Sequence, residues 1–149
     1  MRITRRRLAF AVLLALIFAS ASWALAPLFL TTHADVAPPE TFTSVVKQGT
    51  WAGVDGFHFA TGDATILTDG EGGYLLHLED FGVRNGPDIH FFLSADGTVG
   101  PGDADLGPVP ATTGSYHVAI PAGTDVSSVG FALVHCIPAN FLFARAPLA

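Results

Sequence analysis

The chain has 149 residues, half of them hydrophobic, with only 13% charged side chains and a mean hydropathy of +0.46. That is too short for two ordinary domains, too apolar for a disordered chain, and at a net charge of −6 it lacks the basic footprint of a nucleic-acid binder. A single cysteine excludes an internal disulfide and a cysteine-only zinc site.

The charge divides along the chain. Arg2, Arg5, Arg6 and Arg7 lead, and Leu8 to Leu30 then runs without an ionisable side chain. All 13 acids lie beyond it with only Lys47, Arg84 and Arg145 as cations, so the remainder carries −10. A basic flank before an apolar run of bilayer length is the pattern of an uncleaved N-terminal transmembrane helix over residues 1–30, with the basic end cytoplasmic. The alternative is a signal peptide cleaved after Ala19-Ser20-Ala21 or Ala24-Leu25-Ala26, which leaves the domain secreted. Thr4-Arg5-Arg6-Arg7-Leu8 also touches the twin-arginine export pattern. Either way the domain is expected on the extracytoplasmic side. Residues 31–48, with Pro38-Pro39 and little periodicity, read as a linker, and His33 within them carries no signal of its own.

From residue 49 to 149, glycine, proline and aspartate interrupt the chain every eight to twelve residues, and apolar residues alternate between the cuts. The fold class is therefore all-β, a single antiparallel β-sandwich domain. Strands are expected around Thr50–Trp51 and over Gly56–Ala60, Ala64–Thr68, Tyr74–Asp80, Asp88–Ser94, Ser115–Ile120, Ser128–His135 and Phe141–Arg145. Alternation places Leu76 and Leu78 opposite His77 and Glu79. It sets Ile89, Phe91 and Leu93 opposite His90 and Phe92, and Tyr116, Val118 and Ile120 opposite His117. Val134 and Cys136 then share the face opposite Leu133 and His135.

An ordered set of short strings carries a resemblance: Gly56-Phe57-His58, Leu78-Glu79-Asp80-Phe81, Asn85-Gly86-Pro87-Asp88, Asp105-Leu106-Gly107, Gly114, Ile120-Pro121 and a strand ending in Cys136, then Phe143, Ala146 and Leu148. Residues 49–148 resemble the DM-thirteen domain, described as an electron-transfer domain and found beside DOMON domains in some animal extracellular proteins. Trp23 and Pro27-Leu28-Phe29 are similar to the outer end of the anchor in bacterial members. The resemblance implies an extracytoplasmic β domain in which Cys136 takes part in redox chemistry with an extracellular redox or protein partner. His135 and Ala139 depart from the aromatic residues usual before and three after the cysteine.

Two classes of function stay open: redox chemistry centred on Cys136, and a non-catalytic interaction module in which Cys136 is core and exposed Trp51 and Phe92 form the contact surface. A thiolate needs a nearby cation, and adjacent strand residues face apart, so His58 on another segment is a better candidate than His135. His58 and Cys136 are the candidate metal ligands, with copper or haem as possible cofactors, although the histidines form no recognisable ligand spacing. The acidic glycine-rich stretch from Asp96 to Asp105 reads as turns rather than a calcium loop, since no glutamate closes it. Arg84 is expected to pair with Asp80 or Asp88. No G-x-S-x-G elbow is present.

Overall fold

A computed structural model describes residues 5–25 and 30–149, with side chains from residue 8 to 22 and from residue 30 onward. It divides into two compact units, Met1–Leu30 and Thr31–Ala149. The first holds helix α1 (Arg5–Leu25), whose described side chains are all exposed. Among the described residues no helix is long and apolar enough to cross a membrane. The leading arginine Arg2 and the Pro27-Leu28-Phe29 string lie outside the described residues, as do the side chains of Arg5, Arg6, Arg7 and Trp23.

The second unit consists of two five-stranded sheets. One runs in the order β1 (His33–Asp35), β8 (Thr113–Ala119), β5 (Tyr74–Val83), β4 (Ala60–Thr68), β2 (Ser44–Thr50). The other runs β3 (Ala52–Gly53), β10 (Phe141–Pro147), β9 (Phe131–Cys136), β6 (Ile89–Ser94), β7 (Ala104–Pro108). Every pairing is antiparallel except β1 on β8. A sandwich whose strands bury one face each follows from the period-two pattern. Leu76 and Leu78 from β5, Ile89, Phe91 and Leu93 from β6, Tyr116 from β8, and Val134 and Cys136 from β9 all enter one core cluster.

Trp51 sits where the chain passes from the first sheet to the second. It is 4% exposed and lies against Phe81 of β5 (ring centroids 5.6 Å apart) and Phe91 of β6 (6.0 Å). Phe81 also meets Tyr116 edge-on at 5.9 Å, and the Tyr116 hydroxyl donates to the Ala111 carbonyl at 2.6 Å. Trp51 is therefore core rather than contact surface. Phe92 is not contact surface either: it lies outside the core cluster, on the face opposite Phe91, and is 8% exposed against the rings of His90 and His135.

Residues 31–48 are more than a spacer. They carry β1 and β2, the two edges of the first sheet. Thr32 and the buried Thr112 lock β1 in place: the Thr32 amide donates to Thr112 Oγ1 at 2.9 Å, and Thr112 Oγ1 donates to the Thr32 carbonyl at 3.1 Å. Gly114, at φ +114°, lets β1 approach, because a Cβ there would collide with the Ala34 carbonyl. Lys47 Nζ donates to the carbonyls of Ser127 (3.1 Å) and Val129.

Two further expectations are corrected. Gly56–Ala60 is a loop up to Ala60, because Asp55 Oδ1 accepts the amide hydrogens of Phe57 and His58 and holds the backbone in a turn. Ala104–Pro108, expected as part of a turn region, is an edge strand on β6, where Pro108 and Gly107 are tolerated.

Replacing Thr112 with valine takes the acceptor from the Thr32 amide, while the Thr32 carbonyl keeps the amides of Thr112 and Thr113. Thr112→Val should lower unfolding free energy by about 0.5–1.5 kcal/mol in urea titration. An unchanged midpoint would mean that β1 is not part of the cooperative fold.

Candidate functional site

Three connections meet at one end of the sandwich: residues 54–59 between β3 and β4, 84–88 between β5 and β6, and 137–140 between β9 and β10. Backbone bonds lace them together. The Arg84 amide donates to the Phe59 carbonyl (3.1 Å), Ile137 to Asp88 (3.0 Å) and Val54 to Phe143 (3.1 Å). Asp88 and Asn140 take left-handed backbone conformations here, at φ 52° and 46°, which their residue types tolerate.

Asp55 builds the first loop. Its Oδ2 accepts from His58 Nδ1 at 2.8 Å, while Oδ1 accepts from the amides of His58 (2.6 Å) and Phe57 (2.7 Å). The His58 side-chain bond, followed by those two amides, holds the Asp55 carboxyl at about 2, against an ordinary 3.8. A carboxylate only accepts, so Nδ1 carries the hydrogen and the lone pair of neutral His58 is on Nε2. The imidazole packs against Phe57 (5.1 Å), Phe141 (4.6 Å) and Phe143 (4.7 Å). Arg84 pairs with neither aspartate: its guanidinium lies 4.1 Å over the ring of Phe57. Gly86 is required beside it, since a Cβ there would sit 2.8 Å from the Phe143 ring.

Cys136 ends β9 on the core side of the same end. It is 1% exposed, and its thiol donates to the Pro87 carbonyl at 3.1 Å. Its register partner on β10 is Phe141, the residue that also carries the His58 ring. Cys136 and His58 thus share a neighbour, but no hydrogen bond joins them. His135 points to the opposite face, with Nε2 bonded to Asn140 Oδ1 at 3.1 Å.

These donors do not assemble into a copper or haem centre: Cys136 Sγ is buried and bonded to a carbonyl, leaving His58 Nε2 as the free donor of the candidate pair. Among the described residues no group of three or more His, Cys, Asp or Glu side chains is placed to hold a metal ion. The acids between Asp96 and Asp105 are engaged in local bonds: Asp96 to Thr98, Asp103 to the Gly100 amide, Asp105 to His90.

The family model for the electron transfer DM13 domain matches residues 54–148. The chain belongs to the electron transfer DM13 family. No curated protein and no solved structure matches it. The matched DM13 region starts at the loop of Asp55 and His58, so β1, β2 and β3 precede it and supply edge strands to both sheets.

Sequence reasoning missed the exposed aromatics at this end. Phe57, Phe59 and Phe141 are 57%, 37% and 42% exposed, with Ile137 at 40%. The signal was present in Gly56-Phe57-His58-Phe59: two aromatics beside glycine and aspartate in a short segment suit a loop as well as a strand.

The depressed Asp55 carboxyl favours the folded loop above about pH 4, and that contribution fades as pH falls toward 2. Carbon-detected NMR titration should place Asp55 near 2, and His58→Ala should move it part-way back toward 3.8, since the Phe57 and residue-58 amides stay. An unmoved midpoint would remove His58 as the cause.

Proposed function

We propose that this DM13 chain is an extracytoplasmic electron-transfer module, tethered to the membrane through its N-terminal apolar segment, with exchange centred on Cys136. The observation that carries this reading is the position of the single cysteine. It lies beneath the loops of His58, Pro87 and Phe141, at the end of the sandwich that exposes aromatic side chains. The tether rests on the uncharged run from Leu8 to Leu30 behind four arginines. The net charge of −10 beyond residue 30 argues for a protein or small-molecule redox partner rather than nucleic acid.

The resting thiol is a protected one. An electron removed from a thiol is followed by its proton, and the Pro87 carbonyl that receives the Cys136 hydrogen bond is not a base. Exchange at Cys136 therefore needs the 137–140 turn to open enough for a proton acceptor or partner to reach Sγ. Of the imidazoles held at this end, His58 packs on Phe141, the register partner of Cys136.

A second reading has its own support. Burial and the Pro87 bond are what a structural cysteine shows, and exposed Phe57 and Phe141 then act as a contact surface without redox chemistry.

Thiol labelling of the native full chain separates the two. The redox reading expects a small alkylating reagent to modify Cys136 faster than global unfolding allows, and Cys136→Ser to abolish one-electron exchange while keeping the fold. If the thiol stays unmodified until denaturant unfolds the chain, the cysteine-centred reading falls and the contact-surface reading stands.

A further inference from the structure

We infer that the outer face of the first sheet carries a two-histidine clamp for a borderline divalent transition-metal ion, formed by His77 of β5 and His117 of β8. The two are direct register partners on neighbouring antiparallel strands. Leu76, Leu78 and Tyr116 fill the core, so His77 and His117 both stand on the opposite face, where each is half-buried. Directly opposed residues on one face hold their Cβ atoms about 4.5–5.5 Å apart. From that separation, rotation of the two side chains lets one nitrogen of each imidazole reach a shared ion at about 2.0–2.1 Å.

The hydrogen bonding leaves these nitrogens available. His117 Nδ1 faces the Val36 carbonyl at 3.4 Å. A carbonyl only accepts, so Nδ1 carries the hydrogen and Nε2 offers its lone pair, the arrangement in which a metal-bound imidazole is steadied by a backbone carbonyl. The His77 ring makes no hydrogen bond, and its Nδ1 is buried without a partner. An imidazole left unpaired beside another costs stability unless something fills the gap. By contrast, His90 spends both nitrogens on Asp88 and Asp105, and His135 spends Nε2 on Asn140.

The surroundings draw in a cation. Asp63 and Glu79 are register partners two residues along on the same strands as Thr65 and His77, so two exposed carboxylates stand on the same face next to the pair. Two imidazoles with the remaining positions open to water suit Cu(II), Ni(II) or Zn(II), with Cu(II) bound most tightly. The site is on the other sheet from Cys136 and independent of the redox reading.

The test uses the untagged full chain in detergent, titrated with Cu(II) alone and followed by electron paramagnetic resonance. One saturable site with nitrogen ligation is expected. His77→Gln and His117→Gln should each weaken it by more than the roughly 10–100-fold that losing an outer partner of a metal ligand costs. His33→Gln, whose ring is paired with Asp35, should leave it unchanged. Zn(II) should raise the thermal midpoint of the parent chain and not of His117→Gln, which decides the matter should His77→Gln fail to fold. Copper binding indifferent to both substitutions, or lost equally in His33→Gln, overturns the assignment.

Discussion

The fold depends on the contact between Trp51, Phe81 and Phe91. Phe81 comes from one sheet and Phe91 from the other, and Trp51 occupies the single residue between β2 and β3, where the chain changes sheets. Large aromatic side chains bury about 150–250 Å² each, so this trio supplies a large share of the inter-sheet contact. It also fixes which strand ends lie together. With Trp51 pinned, β3 and β10 pair at its side, and the 54–59 loop is delivered onto Phe141 and Phe143. The arrangement at the Cys136 end is thus a consequence of core packing, with Asp55 adding only the local turn that aims His58.

How much of this was legible follows from the range of each interaction. Alternation is local, so the inward sets of β5, β6, β8 and β9, including Cys136 beside Val134, could be read directly. What failed was non-local or edge chemistry. β1 exists because Thr32 meets Thr112, eighty residues away, and three residues of alternation cannot announce a parallel partner. β7 contains Gly107 and Pro108, which mark a turn in isolation and are acceptable only because the strand is an edge. Trp51 and Phe92 were misplaced for different reasons. Trp51 is the residue at which the chain changes sheets, which alternation does not assign. For Phe92, alternation separates two faces but does not say whether the outer one is covered. Phe92 is covered by His90 and His135, its neighbours on that face.

The candidate site was legible in its members and not in its contacts. Gly56-Phe57-His58 and Cys136 could be singled out by resemblance, but only the fold shows that Phe141 packs on the His58 ring and stands in register with Cys136, whose thiol bonds to Pro87 rather than to His58. Arg84 shows the same limit. Two aspartates lie within four residues of it, yet its guanidinium settles on Phe57, which a planar delocalised cation can do at little desolvation cost.

That choice bears on how the domain meets other molecules. Among the described residues, Lys47 is spent on backbone carbonyls and Arg84 on an aromatic ring, so neither neutralises a carboxylate. The negative charge of the folded unit is left almost uncompensated, and its field attracts cations from a distance set by ionic strength. Attraction alone holds nothing, because exposed carboxylates keep their hydration and bind diffusely. Retention needs donors whose own hydrogen bonds are not already satisfied. His90 engages both ring nitrogens with Asp105 and Asp88, and His33 engages both with Thr113 and Asp35, while His58 keeps Nε2 but is packed against Phe57, Phe141 and Phe143. His77 and His117 are register partners, with the His77 ring unbonded and His117 keeping Nε2, so the acidic surface gathers cations that this pair is equipped to hold.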